Sequence, residues 1–259
     1  MSLEQHIQQA AAYLRTVERV AVLTGAGVSK ESGVPTFRDA LDGLWAMYDP
    51  TALATPTAFK ANPKLVWDFY EYRRSIMRPA RPNPGHYTLA ELERRVPQFT
   101  LITQNVDDLH EQGGSKNVIR LHGSISTNKC SADCQGSPTL VDVDSYTWDR
   151  QQGPPPCPHC GSLVRPNVVW FNELLPLDAL DKAKQAAAQA QVMLIVGTSG
   201  VVSPAADLPV QAKRFGAKVI EINPERSALT SYADIWLQGA SGDLLPRLVA
   251  ALDNENEAT

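Results

Sequence analysis

Apolar residues gather in short, unbroken, β-branched runs: RVAVLT (19–24), FTLITQ (99–104), NVIRLH (117–122), QVMLIVG (191–197), AKVIEIN (217–223) and DIWL (234–237). A strand with one wet face alternates apolar and polar residues. A strand buried on both faces reads as a continuous run, so these six segments predict a parallel sheet covered on both sides. Helical patterns lie between them. The opening stretch puts Leu3, Ile7, Ala10 and Leu14 on one face, with Ser2 and Gln5 spaced for a capping box. Residues 177–191 are rich in strong helix formers, residues 204–216 run from Pro204 to Gly216, and residues 242–254 form a closing helix. The layout predicts an α/β fold, a Rossmann-like doubly wound parallel sheet.

Two stretches break the alternation. Residues 25–98 are too long for one βα link and hold two helical patterns, 63–77 and 86–96. Residues 124–168 carry all four cysteines. Both read as insertions that build a smaller module: residues 30–92 its helical part and residues 124–168 its zinc-binding part. Residues 1–29, 93–123 and 169–259 then make up the sheet domain. The composition, 43% hydrophobic and 20% charged with a formal net charge of −4, is that of an ordinary globular chain. It lacks the basic balance of a nucleic-acid backbone binder. No apolar run approaches a membrane span and the opening has no signal-peptide h-region, so no membrane partner and a cytoplasmic location are expected.

Candidate chemistry begins at LTGAGVSKESGVPTFR (23–38). Gly25 and Gly27 fit the first two positions of a dinucleotide fingerprint, but Lys30 stands at the third and the next glycine is Gly33. A helix is therefore not expected to start tight against the strand, and a longer loop must leave the sheet and return. Gly25 and Gly27 allow backbone N–H groups close to a pyrophosphate; the bland alternative is a turn whose glycines serve geometry alone. The acidic residue expected at the end of the second strand of a dehydrogenase has no clear counterpart.

Cys130-x3-Cys134 is followed, after 22 intervening residues, by Cys157-x2-Cys160. Paired thiolates at such spacings form tetrahedral, structural Zn sites, the alternative being four separate thiols. The extra residue in the first pair predicts a bulged knuckle. Among the five histidines, His122 ends a predicted strand and precedes Gly123, at the mouth of the crevice where ligands gather in open α/β sheets. His6 is expected to be solvated, His86 to serve a helix start and His110 to be structural; His159 lies between thiolates.

Taken together, GAGVSKESGVPTFR (25–38), TQNVDDLH (103–110), LHGS (121–124), the two cysteine pairs, VVWFNE (168–173), GTSGVVSPAA (197–206) and INPE (222–225) resemble the sirtuin family, in the family's order and over essentially the whole chain. The resemblance implies an NAD-dependent protein-lysine deacylase. Its Rossmann-like domain and small zinc-bearing domain would flank the cleft, with proteins carrying acyl-lysine as partners. It implies that Gly25, Ala26 and Gly27 cradle phosphate, Phe37 shields the ribose and Arg38 lines the NAD pocket. Gln104, Asn105 and Asp107 would surround ribose and nicotinamide. Gly197, Thr198, Ser199 and Asn223 match cofactor contacts, and Ala240 matches the adenine side. It makes His122 the general base, which takes a ribose hydroxyl proton near neutrality. Products would be free lysine, nicotinamide and an O-acyl-ADP-ribose. NAD consumption without a peptide, by ADP-ribosyl transfer or hydrolysis, and an idle NAD-sensing module are the rivals.

The acyl group is addressed by KLVWDFYEYRRSIM (64–77), in which Leu65, Phe69, Tyr72 and Ile76 form an apolar stripe and Tyr70 and Arg73 share a face. Unaided, the pair reads as a solvated helix face. In the family, Tyr-x-x-Arg marks members that remove succinyl, malonyl or glutaryl groups, and Ala54 matches the small residue that leaves them room. Val169, Phe171 and Asn172 fall in the segment that pairs with the substrate backbone. Asn172 replaces the family's usual glycine.

Overall fold

A computed structural model describes residues 1–36 and 47–253. Helix α1 (Leu3–Arg15) opens on the expected capping box, in which Ser2 Oγ accepts the Gln5 N–H at 3.3 Å and Gln5 Oε1 accepts the Ser2 N–H at 2.8 Å. Strand β1 (Arg19–Thr24) leads straight into a single helical turn, α2 (Gly27–Lys30). Short helices α3 (Pro50–Leu53) and α4 (Pro56–Ala61) precede α5 (Pro63–Met77) and α6 (Pro84–Arg95). Then come β2 (Gln98–Thr103), α7 (Leu109–Gln112), β3 (Val118–Arg120), β4 (Gly123–Cys130) and β5 (Val164–Val168). The chain closes with α8 (Leu177–Gln189), β6 (Val192–Val196), α9 (Asp207–Arg214), β7 (Lys218–Asn223), β8 (Ile235–Gln238) and α10 (Ser241–Asp253).

Six strands form one all-parallel sheet in the order β3-β2-β1-β6-β7-β8. The order reverses between β1 and β6, which is where a doubly wound sheet opens a crevice at its C-terminal edge. The six apolar runs are these six strands; the central β1 and β6 are buried along almost their whole length because both faces are covered, whereas the edge strand β3 is only partly buried. In β1, Val20 and Val22 face one core with α1, α6 and α10, while Ala21 and Leu23 face another with α8 and α9. Trimming a fully buried leucine such as Leu23, Leu101 or Leu194 to alanine costs about 2–5 kcal/mol.

A second, two-stranded antiparallel sheet, β4–β5, carries the smaller module. Helix α5 is fixed across it: Arg74 donates from Nε to the Ile125 carbonyl at 2.7 Å and from Nη2 to Asn128 Oδ1 at 2.6 Å. The buried face of α5 is Val66, Trp67, Phe69 and Tyr70, not the expected stripe, since Leu65, Tyr72 and Ile76 are only partly buried. The helix turns this way because Phe69 and Tyr70 pack with Phe59, Val168 and Trp170, whereas Trp67 packs beside the cysteines with Val141 and Val164. Helix α9 begins at Asp207 rather than at Pro204. Among the described residues, no helix is long and apolar enough to cross a membrane.

Candidate active site

The loops leaving β1, β2, β6 and β7 meet over the crevice and brace one another. Gly25 and Gly27 donate their N–H groups to the carbonyls of Val196 and Gly197, at 3.1 and 2.8 Å. A Cβ on Gly27 would lie 2.7 Å from the Gly197 oxygen, and one on Gly25 would lie 2.7 Å from Thr198 Cβ. The glycines therefore let two loops touch, and the contact allows a helical turn to start at once after β1, against expectation. The turn ends at Lys30 and the chain turns at Gly33, whose φ is 81°. Gln104 donates to Thr198 Oγ1 at 2.9 Å, and Asn223 Nδ2 donates to the Thr198 carbonyl at 2.8 Å. Glu31 accepts the Gly242 N–H at 2.8 Å, tying the glycine loop to the start of α10 beside Ala240.

Below this floor lies a buried polar network that the sequence did not reveal. His86 Nδ1 accepts the Asn83 N–H at 3.2 Å, so its proton sits on Nε2, which donates to Ser29 Oγ at 3.4 Å. Ser29 Oγ also accepts from Asn105 Nδ2 at 3.2 Å and donates to Asp107 Oδ2 at 3.0 Å. Burial pushes Asp107 above the usual carboxylate range, against the opposing bonds from Leu109 and Ser29. Burial also lowers His86 to about 4. His110 falls to about 3, mainly through burial and then through its neighbour His86; its Nε2 lies 2.9 Å from Thr24 Oγ1. Both rings are therefore neutral and structural, and Ser29 is the residue that joins Asn105 to Asp107. Its only signal in the sequence is its place four residues after Gly25, inside the glycine motif.

His122 is half-buried at the end of the short link between β3 and β4. Its Nδ1 lies 2.9 Å from the Gln104 carbonyl, which can only accept, so Nδ1 carries the hydrogen and Nε2 keeps its lone pair. Burial holds the ring below its ordinary pKa, and the bond to Gln104 partly opposes this.

One cleft of about 1280 Å³ runs between the sheet and the smaller module. It is lined by His122, Gln104, Asn105 and Asp107, by Gly25, Ala26 and Gly27, and by Gly197, Thr198, Ser199, Asn223 and Ala240. From the smaller module and its border come Ala54, Tyr70, Arg73, Val169, Phe171 and Asn172. Phe37 and Arg38 lie outside the described residues. Tyr70 is almost fully buried and its oxygen accepts the Trp170 indole N–H at 3.0 Å. Arg73 sits with Cζ 5.9 Å from the centroids of both Phe69 and Tyr70. Burial pushes this guanidinium below its ordinary range, and Tyr70 and Asp107 push back. Asn172 has φ 68°, a conformation that glycine or asparagine adopts most readily, which accounts for asparagine at this place.

The four cysteines gather at one end of β4–β5, with their sulfurs all within 4.8 Å of one another. Cys130 and Cys160 sulfurs are 3.5 Å apart, and those of Cys134 and Cys157 are 3.9 Å apart. Four thiolates about 2.3 Å from one tetrahedral Zn²⁺ have sulfurs about 3.8 Å apart, so the donor set fits structural zinc. The extra residue of the first pair is absorbed at Asp133, whose φ is 44°. Purified protein is expected to carry about one zinc per chain by elemental analysis. Cys157→Ser should abolish that content and lower the melting temperature; full zinc retention would contradict the site.

The profile of the Sir2 family matches residues 25–204. The chain belongs to the Sir2 family. The NAD-dependent protein deacylase of Methylococcus capsulatus is 50% identical over 243 residues, 93% of this chain and 95% of that protein. A crystal structure of a Sir2 homologue in complex with NAD superposes with TM-score 0.85 at 45% identity, covering 95% of this chain and 93% of that one. A Sir2 complex with a p53 peptide and NAD⁺ superposes with TM-score 0.81 at 30% identity, covering 96% and 98%. The two Sir2 structures share the fold of this chain, a parallel Rossmann-like sheet.

Proposed function

We propose that this chain is an NAD-dependent protein-lysine deacylase that favours succinyl, malonyl and glutaryl over acetyl groups. The observation that carries the reading is the convergence on one cleft of His122, the Gln104–Asn105–Asp107 segment and the Ala54, Tyr70 and Arg73 trio. Relatives named as NAD-dependent deacylases and a neighbour holding both a peptide and NAD⁺ support the activity and a protein substrate. In this reading residues 1–29, 93–123 and 169–259 hold the cofactor, and residues 30–92 and 124–168 form the other wall.

When bound, NAD supplies the ribose carbon from which nicotinamide departs and to which the acyl oxygen passes. The braced loops after β1, β2, β6 and β7 hold the cofactor at the open edge of the sheet. Gln104 and Asn223 each spend amide hydrogens on Thr198, so their carbonyl oxygens remain to accept from the ligand. His122 Nε2 takes the ribose hydroxyl proton, because Nδ1–H is held by the Gln104 carbonyl. Val169, Phe171 and Asn172 lie against the peptide. Tyr70 and Arg73 offer hydrogen-bond donors to an acyl carboxylate, and Ala54 leaves it space.

The base must be neutral to act, and burial lowers the His122 pKa below 6.5. The acid limb of kcat/KM is therefore expected to have its midpoint below pH 6.5. An acid limb centred above pH 6.5 in a rate profile would contradict the assignment. The acyl reading is tested by comparing kcat/KM for succinyl-, malonyl-, glutaryl- and acetyl-lysine versions of one peptide, with and without NAD. The acidic three should turn over faster, and only with NAD.

A further inference from the structure

We propose that Trp170 is a positioning residue for acyl selection, in that its indole N–H turns the Tyr70 phenol into a pure hydrogen-bond donor facing the cleft. The inference rests on the acidic-acyl reading above and adds to it a group that does not itself bind the carboxylate.

Two contacts carry it. Trp170 Nε1 donates to Tyr70 Oη at 3.0 Å, with both side chains buried. The Arg73 guanidinium lies beside the same ring, with Cζ 5.9 Å from its centroid. A phenol has one hydrogen to give and lone pairs with which to accept. With the indole N–H on its oxygen and a cation beside it, what Tyr70 is left to offer is its own O–H. A carboxylate accepts and cannot donate, so a wall presenting Arg73 N–H and Tyr70 O–H suits it, whereas a wall presenting a free phenol lone pair would repel it.

The indole is held in this orientation from two sides. Its backbone N–H donates to Glu173 Oε2 at 2.8 Å, and Glu173 takes a two-pronged ion pair from Arg165 at 2.5 and 3.0 Å. Arg165 lies over the indole with Cζ 3.3 Å from the ring centroid and also donates to the Val168 carbonyl at 2.8 Å. A cation above the π face draws electron density from the ring and strengthens the N–H as a donor. Phe59 closes the far side at 5.2 Å between centroids, and the neighbouring Phe171 N–H is held by the Ala54 carbonyl at 2.9 Å. The segment that follows β5 is thus joined at Trp170 to α5 at Tyr70 by a hydrogen bond.

The test is a double-mutant cycle on Trp170→Phe and Tyr70→Phe, with kcat and KM measured on succinyl- and acetyl-lysine peptides. Phenylalanine at 170 keeps a ring under Arg165 and removes the N–H. The succinyl-to-acetyl ratio of kcat/KM is expected to fall about tenfold in Trp170→Phe, mostly through the KM of the succinyl peptide. In a Tyr70→Phe background there is no hydroxyl to orient, so the same change should lower the ratio no further. An unchanged ratio, or an equal further loss on top of Tyr70→Phe, would overturn the proposal, because a packing role alone is additive. Should Trp170→Phe fold poorly, 3-benzothienylalanine at 170, which places sulfur where the N–H stands and keeps the shape, is to give the same fall. If Arg73→Met erases the preference while both changes at 170 leave it intact, only the role of Trp170 fails. If the unmodified protein shows no acidic preference, the carboxylate reading and this inference fail together.

Discussion

Replacing His122 with alanine is expected to lower deacylation kcat by about 10²–10⁴-fold while the affinity for NAD changes little. The size follows from losing the group that accepts the ribose hydroxyl proton. The selectivity follows from the geometry. Among the described residues, the imidazole is hydrogen-bonded to the floor at Nδ1, by the Gln104 carbonyl. The loops that would hold NAD are braced without it, through Gln104–Thr198, Asn223–Thr198 and the Gly27–Gly197 contact. Calorimetry of NAD binding beside steady-state kinetics separates the two effects. Full deacylation by His122→Ala would remove His122 from the reaction, and a matching loss of NAD affinity would make it a binding residue instead.

Arg73→Met is expected to cut kcat/KM on the succinyl peptide by roughly ten- to a hundredfold and to spare the acetyl peptide by comparison. A hydrogen bond to a charged group contributes about 1.5–3 kcal/mol net, and each 1.4 kcal/mol is tenfold. The guanidinium is half-buried in the cleft wall beside Tyr70, where bulk water competes less with a bound carboxylate than at an open surface. Methionine keeps the length and apolar stem of the side chain, so the packing against Phe69 is largely retained. Kinetics on matched peptides decide the matter: equal losses on both acyl groups would show that Arg73 supports the fold rather than reading the acyl charge.

The sheet was legible because a strand covered on both faces writes itself as an unbroken apolar run; Val20–Leu23 and Val192–Val196 are such runs in the structure. The cysteine site was legible because ligand spacing is local. What the sequence did not reveal depends on contacts between distant segments. The α5 stripe was misplaced because the helix carries apolar residues on two sides. Only the packing of Phe59, Val168 and Trp170 decides which of them faces in. The helical turn after Gly27 was missed because Gly197, 170 residues later, is what the glycines accommodate. The place of His86 at a helix start was legible, since its partner Asn83 is three residues away, but Ser29 gave no pattern, since its partners lie 57 to 78 residues away. The Arg165–Glu173 pair, which anchors Trp170, spans only eight residues, yet neither period 2 nor period 3.6 marks it.

The most direct measurement is a product balance on one reaction mixture containing the enzyme, NAD and a succinyl-lysine peptide. If the cleft joins the two substrates as argued, free-lysine peptide, nicotinamide and O-succinyl-ADP-ribose appear in equal amounts, and none appears when either substrate is left out. Free succinate with NAD intact, or nicotinamide released at the same rate without peptide, would contradict the account.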